Sequence, residues 1–325
     1  MLDQLLANSE NLLYGIFGIV ITIFLILDLG VFHKKPGKIS QKDALQQSLF
    51  WVVVSIIFGG VIYFYYENPV PGVTPYESML EFYSAYLTEK ALSIDNIFVI
   101  LLILRYFKVK DEYYHGILFW GILGAIIFRA IFIFVGALLI SKAHWILYVF
   151  GVFLVYSGLK IFKDDEDMEI EPEKNPLIQL ARKFFPISKG DMGGRFVIFK
   201  QGKLIFTPLF LVIILIESTD LIFAVDSIPA AFAITQNPFI IYTSNIFAVM
   251  GLRAMFFLLS NVLDKFYLLQ KGLAIILIFI GAKMLVDIFS IHVPVIWSFS
   301  MILVVLIGSI ILSLIFPKKP ELVNN

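Results

Sequence analysis

The sequence predicts an all-α bundle of membrane-spanning helices, about nine of them, and three observations lead there. The first is composition: of 325 residues 59% are hydrophobic, 15% are charged and 33 are Phe, whereas a soluble domain is nearer half apolar and a quarter charged. The second is run length. The chain repeatedly strings together roughly twenty apolar residues, enough to cross about 30 Å of hydrocarbon. The third is the side on which Lys and Arg fall between those runs.

The expected spans are 12–32, 46–66, 82–104, 116–139, 145–162, 204–234, 239–260, 269–288 and 295–316. The first is preceded only by Asp3 and Glu10, with no Lys or Arg, and is too long for a signal-peptide core, so it reads as a retained span. The sixth is too long for one straight crossing. Pro229 is expected to break or kink it, removing an amide donor and freeing the carbonyl of Val225.

Lys34, Lys35, Lys38 and Lys42 follow span one, and Arg105, Lys108 and Lys110 follow span three. Lys265 and Lys271 follow span seven, and Lys318 and Lys319 follow span nine. The alternate connections are nearly bare, with Lys142 alone in 140–144. Positive charge marks the cytoplasmic side, which puts the N-terminus outside and the C-terminus inside. Tyr63, Tyr65 and Tyr66 then form an outer interfacial belt. The long connection 163–203 is cytoplasmic. It opens acidic ("KDDEDMEIEPEK"), continues with an amphipathic piece ("LIQLARKFF") and ends in a glycine-containing segment; a solvated linker is the expected role.

An internal repeat lies inside this single transmembrane domain. "EKALSIDNIFVI" (89–100) aligns with "DLIFAVDSIPAA" (220–231), pairing Glu89 with Asp220 and Asp95 with Asp226. "FRAIFIF" aligns with "LRAMFFL", pairing Arg129 with Arg253; "YSGLKIF" aligns with "FIGAKML", pairing Lys160 with Lys283. Repeat one is 82–162 and repeat two is 204–288, with flanking helices in 12–66 and 295–316. Three spans is an odd number, so the second copy enters from the opposite face: an inverted repeat, as recurs in secondary transporters.

A carboxylate at helix centre costs on the order of 2.5–3.5 kcal/mol. Glu89, Asp95, Glu217, Asp220 and Asp226 facing lipid would together oppose insertion by roughly 10 kcal/mol or more, so they must face the bundle interior. Six residues of helix turn about 600°, leaving the two acids of each copy some 120° apart. Asp220 shares a face with Ser227, and Glu89 with Asn96. Gripping one ion with both acids of a copy therefore requires a break, and Pro229 offers one at Val225. A static alternative pairs Glu89 in the neighbourhood of Lys90, Asp220 with Arg129 and Asp226 with Arg253. Asn96, Ser227, Thr219 and Asn245 offer neutral oxygens or helix bridges. Asp28 is a lone acid near an interface, open equally to snorkelling, to pairing with Lys34 or to a functional role. The four His sit at span edges without metal-pair spacing. With no Cys, the donors are oxygens, which suit Mg²⁺, Ca²⁺ or Mn²⁺ over Cu(I) or Zn²⁺.

"EKALSIDNIFV", "ESTDLIFAVDSIPAAFAITQNPFIIYTSNIFAVMGLRAMFFLL" and "GLAIILIFIGAKML" resemble the TerC family, most closely its Alx branch. "FLILDLGVF" and "WILYVFGVFLVYSGLK" fit the same pattern, so the resemblance covers about residues 14–316. It implies a bacterial inner-membrane protein tied to tellurium resistance and to Mn²⁺ export. The ligands the resemblance implies are Glu89, Asp95, Glu217, Asp220 and Asp226; the spacing and the repeat add Asn96 and the Val225 carbonyl in support, with Arg129, Arg253, Lys160 and Lys283 as supporting charge. The expected partners are Mn²⁺ or another divalent ion, the lipid bilayer and exchanged protons, with no nucleic acid, no resident cofactor and no catalytic residue. Three competing readings remain: an anion or amino-acid exporter built on Arg129 and Arg253, a scaffold acting through 163–203, and an intramembrane enzyme, for which no nucleophile or metal motif appears. The number of subunits is left open.

Overall fold

The computed structural model describes residues 13–26, 40–66, 68, 72–143, 145–163, 176–184, 186–188, 193–200, 203–260, 268–289 and 293–316. The acidic run 164–175, Asp28 and the lysines at 34–38 lie outside the described residues. The helices are α1 (Leu13–Ile26), α2 (Gln41–Tyr65), α3 (Pro75–Tyr106), α4 (Tyr114–Lys142), α5 (Ile146–Lys163) and α6 (Pro176–Phe184). A hairpin of β1 (Val197–Lys200) and β2 (Lys203–Phe206) follows, then α7 (Pro208–Ile234), α8 (Pro238–Met250), α9 (Leu252–Leu259), α10 (Leu268–Val286) and α11 (Val295–Ile315).

By length and composition, seven helices among the described residues can cross a membrane, with α8 and α9 taken together as one. Of the nine expected spans, the first is described only as the shorter apolar helix α1. The third, α3, runs for 32 residues but carries Glu89, Lys90 and Asp95 in its middle. The outward side chains are those of a lipid-facing surface: Ile57, Phe64, Val152, Ile222, Val304 and Leu314 are all exposed. The protein is an all-α polytopic membrane protein.

Local chemistry sets the helix ends. Thr74 and Glu77 form a reciprocal capping box at the start of α3, with Pro75 in the first turn. Asn237 accepts from the amides of Phe239 and Ile240 to start α8. Two expectations are corrected here. Pro229 does not break α7, which stays helical to Ile234; buried neighbours Ala224, Ala230 and Ala231 hold the backbone around it, and packed membrane helices tolerate such prolines. The interruption falls instead in span seven, at Gly251 between α8 and α9. There the ammonium of Lys90 donates to the carbonyl of Ala248 at 3.2 Å, capping a carbonyl at the broken end. Residues 204–206, expected to open span six, belong instead to the hairpin, in which Val197 pairs with Phe206 and Lys200 with Lys203. Two short runs rich in β-branched and aromatic residues, VIFK and KLIF, separated by two residues that include Gly202, are a strand signal.

The helices matched by the internal repeat pack on one another: α3 on α7, α4 on α8, and α5 on α10. The contact of α3 with α8 is likewise mirrored by that of α7 with α4. At the α5–α10 crossing a Cβ on Gly158 would come 2.8 Å from the carbonyl oxygen of Ala274, and one on Gly281 would come 2.7 Å from that of Gly151. Glycine is what lets these backbones touch. Gly158 and Gly281 are also repeat equivalents, so the same small residue serves both sides of the crossing.

Candidate functional site

The antiparallel contact of α3 with α7 builds the site. Glu89, Ser93 and Asn96 recur at four and seven residues, so they line one buried face of α3. Asp220 and Ser227, seven residues apart, do the same on α7. Asn96 Nδ2 donates to Asp220 Oδ1 at 3.2 Å, and the Ser227 hydroxyl faces the Glu89 carboxylate. The repeat maps Glu89 onto Asp220 and Asn96 onto Ser227. The two cross-helix pairs are thus images of each other.

Arg129 of α4 sits between them, only 1% exposed. One terminal nitrogen donates to Glu89 Oε1 and to Asn245 Oδ1, the latter at 2.6 Å. The other donates to Asp220 Oδ1 at 3.1 Å. This guanidinium supplies the positive charge that lets two acids lie together away from water. Several oxygens nevertheless have no hydrogen-bond partner among the described residues: Glu89 Oε2, Asn96 Oδ1, Ser93 Oγ and Ser227 Oγ.

One turn before Asp220, Glu217 lays its carboxylate on α4, in the space left by Gly124, where any Cβ would overlap it. Both its oxygens are buried without a hydrogen-bond partner among the described residues. Beside them lies a narrow cleft of about 20 Å³, onto which Asn96, Thr219 and Asp220 face alongside Gly121, Ile100 and Leu118.

The structure therefore gathers Glu89, Asn96 and Asp220 around Arg129, with Glu217 one turn away. It does not gather the rest. Asp226 turns to α5, where Ser157 Oγ donates to its Oδ1 at 3.0 Å and the exposed Lys160 adds positive charge; the 120° offset from Asp220 survives because α7 is unbroken. Val225 points its side chain outward, 51% exposed, and its carbonyl is not presented by any break. Arg253 is buried on α9. Lys283 lies near Glu81 and Asp287. Asp95 is on α3, with its side chain outside the described residues. Of the static pairings, that of Asp220 with Arg129 is present, while the described partner of Asp226 is Ser157. The expected ligand set omits Glu81 and Ser93, both buried on α3; Glu81 falls one residue before the expected span 82–104.

The model of the integral membrane protein TerC family matches residues 74–321, which includes both acid-bearing helices, Arg129 and the cleft. The chain belongs to the TerC family. An uncharacterized membrane protein of Myxococcus xanthus is 42% identical over 308 residues, covering 95% of this chain and 93% of its own. A protein of Photorhabdus laumondii is 42% identical over 288 residues, 88% of this chain and 89% of its own. One of Escherichia coli O6:H1 is 41% identical over 303 residues, 93% and 94% respectively. The names of these last two propose a membrane-bound redox modulator, Alx. No solved structure matches the chain.

Proposed function

We propose that this TerC-family protein exports a divalent cation, Mn²⁺ first, from the cytoplasm of a bacterial cell across its inner membrane, and so confers resistance to metal stress such as manganese or tellurite. The observation that carries the reading is the excess of acceptor oxygens over donors along the α3–α7 seam. With all three acids ionised, Glu89, Asp220 and Glu217 outweigh the single charge of Arg129. A divalent ion arriving through the cleft meets Asp220, Asn96 and Thr219 first and takes the place of the guanidinium on Asp220. The unpartnered oxygens of Glu89, Ser93, Asn96 and Ser227 then complete an oxygen shell of the kind hard cations take. Among the described residues no three acids or histidines already converge as a cage, so loading requires Arg129 to shift. Asp95 is kept in the ligand set from the family resemblance, and protons are the proposed counter-ion.

In the anion-exporter reading Arg129 would bind the substrate, but both its terminal nitrogens are engaged by acids and Asn245. An anion would have to displace Glu89 or Asp220 from it, with only Nε left unpartnered among the described residues. A redox role of the kind named for the Alx relatives would have to act through the ion moved, because a chain without Cys has no thiol to cycle. The charge bias between spans favours an outer N-terminus and an inner C-terminus.

The test is Mn²⁺ flux in proteoliposomes, with Mg²⁺, Ca²⁺ and Zn²⁺ as competitors. Wild type should carry Mn²⁺, and Asp220→Asn should lose at least tenfold. A wild type that carries none refutes the proposal.

A further inference from the structure

Three contacts set the register of α3 against α7: Asn96 with Asp220, Glu89 with Ser227, and Glu81 with Thr235. They step evenly along both helices, as an antiparallel pair must. The repeat accounts for the first two, since each is the image of the other. It does not account for the third. In the same register Glu81 corresponds to Val212 and Thr235 to Leu104, and both of those are buried in the apolar cluster at the opposite end of the bundle. One end of the α3–α7 seam is therefore greasy, and the other carries an acid.

That acid is only 8% exposed. It lies eight residues before Glu89, about 12 Å along the helix and about 80° around it, so it prolongs the same buried face. Thr235 Oγ1 donates to Glu81 Oε2 at 2.7 Å, and Lys283 of α10 adds an opposing charge. Just beyond it a hydrogen-bonded cap closes the end of the bundle. Asn237 donates to the Tyr66 hydroxyl at 2.6 Å and to Asn68 Oδ1 at 3.1 Å, and Asn68 donates to Ser78 at 3.0 Å. The cleft lies toward the other end, lined there by the buried Ile100, Leu118 and Ile216.

We infer that Glu81 is a second cation station on the exit side of the pathway, taking the divalent ion from Glu89 before the Asn237–Tyr66–Asn68 cap opens to release it. This rests on the export reading and on its orientation. Lys283 holds the empty station neutral and yields when the ion arrives. Glu217, equally without an acidic counterpart in the repeat, stands on the entry side of Asp220. The single-copy acids thus flank the duplicated ones in order from entry to exit. These two residues make the two ends of the pathway chemically different, while the proposed proton exchange sets the direction of net flux.

The absence of Cys makes a direct test available. Mn²⁺ efflux is followed from Mn²⁺-loaded spheroplasts of a host lacking other manganese exporters, carrying wild type, Glu81→Gln or Glu81→Cys. Glu81→Gln should lower efflux at least tenfold while Mn²⁺ affinity of the purified protein stays within twofold. A membrane-impermeant methanethiosulfonate bearing a carboxylate, added outside, should restore efflux to Glu81→Cys at least fivefold, and its ammonium-bearing analogue should not. Efflux by Glu81→Gln within twofold of wild type overturns the inference. So do equal responses to the two reagents, or a thiol that neither reaches. Failure of the wild type itself to move Mn²⁺ strikes instead at the export reading.

Discussion

Asn96 donates to Asp220 across the α3–α7 contact, and the internal repeat turns that pair into Ser227 facing Glu89. The same two helices thus present the same chemistry twice, in opposite senses. Removing either neutral member should weaken ion binding alike. Asn96→Ala and Ser227→Ala are each expected to lower Mn²⁺ affinity about five- to tenfold, the worth of one polar contact of roughly 1 kcal/mol. Asp226→Asn, on the α5 side of the helix, should change affinity less than twofold. Calorimetric titration of the purified protein checks all three.

Arg129 compensates both central acids, so its loss strands them. Arg129→Met should destabilise the fold by about 3–5 kcal/mol, the usual cost of breaking a buried pair from one side. Adding Asp220→Asn should recover part of that loss, because the two sites share one network. Thermal unfolding in detergent measures both variants.

The α5–α10 crossing has no room for side chains at its centre. Gly281→Leu must push against the Gly151 carbonyl and Val155, and should cost about 1–3 kcal/mol or more from overpacking. Gly60, which meets nothing within 4 Å, is the control: Gly60→Ala should leave the melting temperature within a degree or two, or raise it.

At the interruption of span seven, a Cβ on Gly251 would lie 2.5 Å from Lys90 Nζ and 3.3 Å from Trp51 Cβ. Gly251→Ala can be met by moving the lysine, at the expense of its bond to Ala248, so a loss of about 1 kcal/mol is expected. Gly251→Val must also displace Trp51 and should cost more. Unfolding midpoints of the two variants, compared with that of Lys90→Met, separate the lost bond from the clash.

The sequence by itself determined the solvent and the all-α membrane-spanning class. Hydrophobic run length and charge placement report on each segment's own partition between water and lipid, which needs no knowledge of its neighbours. The expected repeat rests on the same sequence pattern, in which Glu89, Arg129 and Lys160 recur as Asp220, Arg253 and Lys283. The strands at 197–206 were not legible, because residues 204–206 run almost directly into the apolar stretch of α7, which masks their signal.

Only the tertiary structure decided which charges meet. Spacing showed that Asp226 leaves the face of Asp220, but not that Ser157 receives it, nor that one arginine serves both Glu89 and Asp220 while its repeat mate lies buried on another helix. Pro229 and Gly251 make the same point about the backbone. Whether a proline bends a helix, or a glycine interrupts one, depends on what packs against the freed carbonyl, and here Ala224, Ala230 and Ala231 hold the first straight while Lys90 caps the second. Partition is a property of a segment. Pairing is a property of the interior that all the segments make together.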